Sequence, residues 1–390
     1  MTDAGDAGDR VRRFLLERGV PAEEVDRGAE EGHLHLMMVD ALLVPQTGRY
    51  TAAEVAALAG MSLEDVRRFW RALGFPDPSP EERSFGDMDL EALSTLQGLL
   101  AYRMADVDSS LQLARVIGSS MSRIAEAEIT ASPVLRGQTD SAEMAELFAL
   151  TADATLPGMA RLLEYSWRRH LQAAARRAVL MSSRVDATGA HLELAVGFAD
   201  LVGFTVLSQQ LSEVELAEMV ARFERLAHDT VTVLGARVVK MIGDEVMYVA
   251  EDVLVAAQVA LALAEAYADD EVLSDVRVGL ACGSVLSRDG DYYGPVVNLA
   301  HRIVNIASPG AVLVSEDVHR ALEPHEDLAF RSLRARYLKD IGRVSLYRLR
   351  RAGAPERDRL PVFVRRLKPG VRLAPERLIE TVERILPPSG

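Results

Sequence analysis

The sequence predicts an α+β protein in which an all-α N-terminal half precedes a C-terminal half of mixed strands and helices. A chain of 390 residues is too long for one ordinary hydrophobic core, so two domains are expected. The first half repeats apolar residues at helical spacing, whereas short apolar strands alternate with helices from His191 onward. We therefore predict an all-helical domain at residues 1–155, a helical linker at 156–190, a mixed domain at 191–352 and a tail at 353–390.

The composition indicates a cytoplasmic protein. No apolar run approaches the roughly 18 residues of a membrane span, and the N-terminus lacks the apolar segment of a signal peptide. Cys282 is the single cysteine of the sequence, which allows no internal disulfide and fits a reducing compartment. The net charge of −14 argues against nucleic acid as the main partner, because phosphate binding relies on local positive charge.

In the N-terminal half, two short helices are predicted on either side of Gly60 in the segment TAAEVAALAGMSLEDVRRFWRALGF. Ser62 is a candidate N-cap of the second helix, because Asp65 follows it three residues later. Three longer amphipathic helices are predicted in the segments DMDLEALSTLQGLLAYRM, DSSLQLARVIGSSMSRIAEAEI and SAEMAELFALTADATL. Pro157 is then expected to open an arginine-rich linker helix, since proline suits a first helical position.

The C-terminal half follows a β-α-β-β-α-β order. Its strands are predicted in HLELAVGFADL, in the hairpin RVVKMIGDEVMYVA and in DVRVGLACGSVL, with helices between them. This order is that of the ferredoxin-like arrangement, for which we expect an antiparallel sheet with helices on one face.

Two aspartates of this half are candidate metal ligands. Asp200 ends an apolar strand, and Asp244 occupies the turn of the following hairpin. Because these strands should be neighbours in the sheet, the two carboxylates are expected side by side, as a Mg²⁺ or Mn²⁺ pair requires. Each aspartate taken alone fits an ordinary strand end or turn equally well.

A second set consists of residues suited to a phosphorylated ligand. Asn298 and Arg302 are four residues apart on a predicted helix and therefore share one face. Arginine suits a phosphoryl group, and asparagine suits a sugar oxygen. Lys240 lies within an apolar strand, and Asp291 precedes the helix. Taken singly, these residues also fit a solvated helix face and an exposed edge lysine.

The segments FADLVGFT, KMIGDEVM, VRVGLACGSV and DYYGPVVNLAHRI together resemble the catalytic domain of class III nucleotide cyclases over residues 191–352. The resemblance implies a palm-like cyclase domain with two divalent cations, Mg²⁺ or Mn²⁺, at each site. Asp200, Asp244 and the backbone carbonyl of Leu201 match the metal-binding positions. Lys240 and Asp291 match the pair that reads the adenine edge, which favours ATP over GTP.

The resemblance also assigns the remaining substrate contacts and the assembly. Asn298 matches the residue that orients the ribose, and Arg302 the one that stabilises the pentavalent α-phosphate. Further substrate-binding positions are matched by Arg277, Lys339, Phe204 and Thr205. The activity implied is conversion of ATP to 3′,5′-cyclic AMP and pyrophosphate, by attack of the ribose 3′-hydroxyl on the α-phosphate. Since one copy holds both residue sets, a homodimer with two shared sites is implied.

The N-terminal half has a second resemblance, in residues 51–95, to the winged helix-turn-helix of MerR-type regulators. Its arginines are offset by acids, so we expect a packing module and no DNA binding. The complete architecture resembles the autoregulated, pH-responsive adenylate cyclases of actinobacteria, which implies a proton as the regulator. The apolar helices of this half also leave open a lipid acyl chain as the regulator. His170, in the arginine-rich linker, is the candidate proton sensor, and His33 and His35 are rivals.

Two other functions are open to this sequence. A diguanylate cyclase shares the palm-like fold, but IGDEVM stands where its Gly-Gly-[Asp/Glu]-Glu-Phe hairpin should be. A one-component DNA-binding regulator would use residues 51–95 on DNA and sense nucleotide with its C-terminal domain. Product analysis with ATP separates these alternatives from an adenylate cyclase.

Overall fold

The computed structural model describes residues 3–44, 48–101, 106–131, 141–181, 191–270 and 272–354. The chain divides into two compact units, Met1–Arg177 and Ala178–Gly390. Apart from its first two residues, the tail predicted at 353–390 lies outside the described residues. Within the described part of the chain, no helix is long and apolar enough to cross a membrane.

The described part of the N-terminal unit is helical, as predicted. Its helices are α1 (Asp3–Glu17), α2 (Ala22–Glu30), α3 (Leu34–Leu43), α4 (Ala52–Ala59), α5 (Leu63–Leu73), α6 (Asp87–Ala101), α7 (Val107–Ala131) and α8 (Ser141–Met181), the last of which continues past Arg177. Leu15, Val25 and Met38 form a core between α1, α2 and α3, and Val55 and Phe85 belong to a second core beside α4.

The segment that joins α4 to α5 is fixed by its caps. Thr51 and Glu54 form a capping box at the start of α4. Ser62 caps α5 by accepting a hydrogen bond from the Asp65 backbone N–H at 3.0 Å, which confirms the predicted cap. These caps satisfy backbone N–H groups that a helix start would otherwise leave without partners.

Pro157 does not open a helix, so that expectation is wrong. It lies inside α8, which runs unbroken from Ser141 to Met181. An interior proline removes one backbone hydrogen bond, but good helix formers such as alanine and leucine flank it on both sides. Leu156 also packs against the core of α1, α2 and α3, which holds this turn of the helix in place.

The C-terminal unit is built on a large sheet. Its elements are β1 (His191–Leu201), α9 (Phe204–Ser208), α10 (Glu213–Val233), β2 (Arg237–Ile242), β3 (Glu245–Ala250), α11 (Val253–Asp269), β4 (Val276–Arg288), β5 (Asp291–Tyr293), α12 (Pro295–Ile306), β6 (Val312–Ser315), α13 (Glu316–Leu322), β7 (Leu328–Ser332), β8 (Arg336–Leu338), β9 (Gly342–Val344) and β10 (Leu346–Arg351). The strand order is β2-β3-β1-β4-β6-β10-β7, β5 pairs with β4, and β8 and β9 form a separate hairpin.

The predicted β-α-β-β-α-β order corresponds to β1, α10, β2, β3, α11 and β4. Two details of the expectation are wrong. The sheet is mixed, because β4 and β6 run parallel, with Val278 opposite Val312. Helices also cover both faces, because both faces of β1 are apolar and each needs a cover. Ala195 and Ala199 face α10, α11 and α13, whereas Val196 and Phe198 face α12.

Two glycines allow very close packing on opposite faces of the sheet. A Cβ at Gly279 of β4 would lie 2.4 Å from the Val304 nitrogen and 2.5 Å from the Ala300 oxygen, so the backbone of α12 rests directly on this strand. On the other face, a Cβ at Gly197 of β1 would lie 2.1 Å from Cζ of Tyr248. The first contact fixes the height of α12 above the sheet.

Candidate active site

The two aspartates predicted as metal ligands meet at one end of the sheet. Asp200 stands at the end of β1, opposite Glu245 at the start of β3. Asp244 precedes Glu245 in the β2–β3 turn, and its carbonyl accepts a hydrogen bond from the Leu201 N–H at 2.9 Å. The pairing of β1 with β3 therefore brings the carboxyl groups of Asp200 and Asp244 together, as expected from strand order.

A third acid joins them. Glu245 is buried beside both aspartates, and its pKa is raised to about 7, first by burial and then by the charges of Asp200 and Asp244. Burial and the Asp200 charge also raise the pKa of Asp244. No role was predicted for Glu245 from the sequence. Its position opposite Asp200 in the register of β1 and β3 places it in the cluster.

Arg277 of β4 balances part of this negative charge. It stands opposite Asp200 in the register of β1 and β4, and its Nε donates to Asp200 Oδ2 at 2.7 Å. A second guanidinium nitrogen also donates to that oxygen, and Nη1 donates to the Asn305 carbonyl at 3.3 Å. Arg277, expected to contact substrate phosphates, thus lies at the carboxylate cluster.

The donor set at this cluster fits a hard divalent cation. Asp200 and Asp244 offer carboxylate oxygens, and repulsion between them would be relieved by a positive ion. Across the residues that the structure describes, no group of three or more His, Cys, Asp and Glu side chains could hold a metal ion by itself. Because Asp200 and Asp244 alone do not fill an octahedral shell, a cation here would add the Leu201 carbonyl, water or phosphate oxygens, as is typical of magnesium sites.

Lys240 of β2 and Asp291 of β5 form a donor–acceptor pair. Lys240 Nζ donates to Asp291 Oδ2 at 2.5 Å, and the second carboxylate oxygen accepts from the Tyr292 N–H at 2.8 Å. The Lys240 and Asp291 side chains are 40% and 24% exposed, so a ligand can reach both. The structure thus brings together two residues that are 51 positions apart in the sequence.

Helix α12 presents the residues predicted for sugar and phosphate. Asn298 is exposed, and Arg302 is 40% exposed with the Asp340 carboxylate 3.6 Å away. Between them, His301 packs edge-on against Phe198 and lies 3.6 Å from the Glu245 carboxylate. Burial and then the Arg302 charge lower the pKa of His301.

The other predicted contacts are spread around this edge of the unit. Phe204, at the start of α9, is partly buried against the core, and Thr205 beside it is exposed. Lys339 is exposed between β8 and β9. Within the described residues, no hydrogen bond or ion pair joins Asn298, Arg302 or Lys339 to Asp200 or Asp244.

Three arginines of the helix-turn-helix segment, and Arg49 just before it, form ion pairs with acids. Arg67 forms no ion pair with a described residue, and its Nε is buried without a hydrogen-bond partner there. The ion pairs are Arg49–Asp87 at 2.6 Å, Arg68–Asp108 at 3.4 Å, Arg71–Asp77 at 3.1 Å and Arg83–Glu54 at 3.0 Å. Since a DNA-binding face needs cations directed at phosphates, this pairing weighs against DNA binding by the segment.

The candidate proton sensors differ in their surroundings. His170 is exposed on α8, near an ion pair between Arg168 and Glu164 at 2.8 Å. His33 precedes α3 and lies 3.5 Å from Glu31, and His35 is partly buried in that helix. The N-terminal unit also contains a cavity of about 360 Å³, lined by Gly60, Met61, Ser62, Asp65, Phe69, Leu96, Gln97, Leu100, Val107, Ser110 and Leu111.

Two family models match the chain. The model described as the adenylate and guanylate cyclase catalytic domain matches residues 187–351, and the one described as the adenylate cyclase regulatory domain matches residues 6–172. The chain is 39% identical to an adenylate cyclase of Streptomyces coelicolor over 80% of this chain and 81% of that protein. It is 40% identical to an adenylate cyclase of Glutamicibacter nicotianae, over 67% and 68%.

A more distant relative is the pH-sensitive adenylate cyclase of Mycobacterium tuberculosis, 30% identical over 89% of this chain and 90% of that protein. Among solved structures, the adenylyl cyclase CyaB of P. aeruginosa is 21% identical, with a TM-score of 0.38 over 44% of this chain and 98% of that one. The guanylate cyclase domain of RhGC from Catenaria anguillulae, also 21% identical, has a TM-score of 0.38 over 41% and 98%.

Proposed function

The chain belongs to the adenylate cyclase family with a cyclase catalytic domain and a regulatory domain, and from that premise we propose how it acts on ATP. The proposed reaction produces 3′,5′-cyclic AMP and pyrophosphate at metal-dependent sites that two copies of the chain share. The observation that carries it is the meeting of Asp200 and Asp244 at one end of a sheet that also holds the Lys240–Asp291 pair.

The carboxylates are proposed as the metal ligands. Asp200, Asp244 and the Leu201 carbonyl would hold two divalent cations, Mg²⁺ or Mn²⁺, which when bound would favour ionisation of the ribose 3′-hydroxyl and offset the charge of pyrophosphate. The crowding of Asp200, Asp244 and Glu245 supports this assignment, because it concentrates negative charge where a cation binds. Arg277 then has two tasks, as the partner of Asp200 and as a donor to the triphosphate.

Lys240 and Asp291 are proposed to select adenine. The lysine donates to a ring nitrogen, and the aspartate accepts from the exocyclic amine. Guanine presents the opposite pattern at that edge, with a donor on the ring nitrogen and an acceptor on the exocyclic oxygen. Lys240 would then meet a donor, and Asp291 would meet an acceptor. The 2.5 Å contact between Lys240 and Asp291 supports the proposal, because it sets a donor beside an acceptor at an accessible edge.

The exposed face of α12 is proposed to act on the reacting phosphate. Asn298 would orient the ribose, and Arg302 would stabilise charge that accumulates on the α-phosphate during transfer. Lys339, Phe204 and Thr205 would complete the substrate contacts. The solvent exposure of Asn298 and Lys339 supports these roles, because a nucleotide can reach both side chains.

The site is proposed to form between two copies. One chain carries both residue sets. Among the described residues, Arg302 lies next to Asp340 and makes no contact with the metal-site carboxylates of Asp200 and Asp244. In a two-fold dimer, the carboxylates of each copy would face Arg302 and Asn298 of the other, which gives two equivalent sites.

Acid is proposed as the regulatory signal. The support is the pH-sensitive relative and the exposed position of His170 on α8, the helix that continues past the end of the N-terminal unit. A charge on His170 would change the repulsion within this arginine-rich helix. A lipid in the cavity of the N-terminal unit is the alternative signal, and activity assays with and without fatty acid at constant pH separate the two.

The decisive experiment is product analysis. Purified protein incubated with ATP and Mn²⁺ should yield cyclic AMP and pyrophosphate in equal amounts, and Asp200→Ala should yield neither. Absence of turnover, together with salt-sensitive DNA binding, would favour the DNA-binding regulator instead. Formation of cyclic dinucleotide from GTP would favour the diguanylate cyclase.

A further inference from the structure

Strand β2 contains a β-bulge immediately before Lys240. Val238 pairs with Tyr248 and Lys240 pairs with Met247, so Val239 is an extra residue in this strand. Side chains three positions apart on a regular strand point to opposite faces. The bulge changes this alternation, because Val238 and Met241 pack on the face of α10 and α11, whereas Val239 packs on the face of α12.

As a result, Arg237 and Lys240 both reach β5. Arg237 donates to the Tyr292 hydroxyl, and its guanidinium carbon lies 5.3 Å from the centre of the Tyr292 ring. Lys240 bonds to Asp291, the preceding residue of β5. Tyr292 is 8% exposed, packs in the core beside α12, and donates its N–H to the Asp291 carboxylate. Two adjacent side-chain contacts therefore join β2 to β5.

Strand β5 needs such support because it is short. It has three residues, and it follows a tight turn in which Asp289 and Gly290 both have positive φ, 57° and 80°. Its ladder partners are Leu286, Ser287 and Arg288 at the end of β4. Under the proposed function, Lys240 and Asp291 stay side by side and bind neighbouring atoms of the adenine edge. The contact between Arg237 and Tyr292 holds Asp291 at its distance from β2.

We propose that Arg237 and Tyr292 are positioning residues for base recognition, set in register with Lys240 and Asp291 by the bulge at Val239. The proposal rests on the proposed function, since it assumes that Lys240 and Asp291 read the base. It assigns specificity to two residues that do not touch the substrate. They act by fixing the spacing between the donor of Lys240 and the acceptor of Asp291.

The test is a small variant series. Tyr292→Phe keeps the ring in the core and removes the hydroxyl, and Tyr293→Phe makes the same change at the adjacent residue, which is 48% exposed. Arg237→Met removes the donor, and Arg237→Lys keeps the charge but places it on a single donor nitrogen. Each variant is assayed as the full-length protein for kcat and KM with ATP and with GTP, together with its thermal unfolding.

Tyr292→Phe should raise KM for ATP about three- to tenfold with kcat within about twofold, since a charge-assisted hydrogen bond is lost outside the reacting centre. The ATP-over-GTP preference should fall by a similar factor. Arg237→Met should behave alike, Arg237→Lys should recover part of the loss, and the double variant should be no worse than the poorer single one. Tyr293→Phe should match the wild type.

The proposal is overturned if Tyr292→Phe keeps the wild-type KM and preference, or if the two single effects add in the double variant. It is also overturned if kcat and thermal stability fall while KM and preference do not change, since that is the behaviour of a purely structural contact. Failure of the proposed function looks different: the wild type would make no cyclic AMP, or would prefer GTP.

Discussion

Arg277 and Asp200 are opposite residues on neighbouring strands, and the arginine holds one carboxylate oxygen with two of its nitrogens. This oxygen belongs to a cluster of three acids, of which Asp244 and Glu245 have raised pKa values. The arginine is therefore a counter-charge of the acidic cluster as well as a candidate phosphate ligand.

Arg277→Met should destabilise the metal-free protein by about 1–3 kcal/mol, because Asp200 loses its charged partner in a largely buried place. Mn²⁺ should restore more stability to this variant than to the wild type, since a cation can replace the lost charge. Urea unfolding in EDTA and in Mn²⁺ measures both effects. Arg320→Met, at a 68% exposed arginine, is the control and should match the wild type. Equal gains from Mn²⁺ in Arg277→Met and wild type would contradict the prediction.

Glu245 should make the metal-free protein less stable as pH rises. Its pKa increases from 4.5 to about 7 on folding, so its contribution is fully present below pH 4.5 and is lost as pH rises through 7. Glu245→Gln should remove about 3 kcal/mol of this pH-dependent loss in the free energy of unfolding. The measurement is urea unfolding in EDTA at several pH values, with the exposed Glu164→Gln as control. A Glu245→Gln protein with the wild-type slope would show that the carboxyl titrates normally.

Two inactive variants should complement each other if the sites are shared. Asp200→Ala and Arg302→Ala each damage both sites of a homodimer. A heterodimer of the two retains one intact site, and purified with two different tags it should recover up to about half of the wild-type activity. Heterodimers as inactive as their parents would rule out the shared-site arrangement.

Gly279→Ala should impair catalysis beyond its effect on stability. The added methyl group meets the backbone of Ala300 and Val304 and must lift α12, which carries Asn298 and Arg302. Lifting α12 moves Asn298 and Arg302 away from the reacting phosphate, which should lower kcat on the order of 10- to 100-fold. Gly197→Ala is the matched control, because it introduces a clash with Tyr248 on the other face of the sheet. Both should cost about 1–3 kcal/mol of stability.

If the two glycine variants lose kcat to the same extent at equal stability, the height of α12 above the sheet does not determine the catalytic rate. The comparison needs kcat, KM and unfolding measurements on both proteins under the same conditions. Any difference in KM between the two variants then reports on the substrate contacts made by α12.

His170→Ala should flatten the response of activity to acid, because the variant lacks the side chain proposed to bind the proton. Initial rates for wild type and variant between about pH 5 and 8 provide the measurement. His35→Ala tests the rival candidate, a partly buried histidine of α3. If the His170→Ala profile overlays that of the wild type, His170 is not the sensor.

The sequence predicted the fold class and the meeting of Asp200 with Asp244, because strand order alone decides which strand ends are neighbours. It could not predict the parallel pairing of β6 or the strands β5, β8 and β9, which have three residues each and carry little periodic signal. The continuation of α8 through Pro157 depends on packing by Leu156, which periodicity does not record.

The contact of Lys240 with Asp291 was expected only from family resemblance, and its structural cause was not visible in the sequence. It depends on the extra residue Val239, because a regular strand would turn Lys240 toward the other face. A bulge of one residue leaves no clear trace in an apolar segment such as RVVKMI. The contact between Arg237 and Tyr292 is hidden from sequence reasoning for the same reason.

The close approach at Gly279 limits how an enzyme of this shape can be switched. With no side chain between β4 and α12, the helix cannot tilt or slide without a collision of backbones, and raising it would leave a void in the packed interior. We therefore expect α12 and the sheet to move as one rigid body, so that control acts by rotating whole catalytic units against each other. A regulator that turns two such bodies by a few degrees would open or close both sites at once, without rearranging either interior.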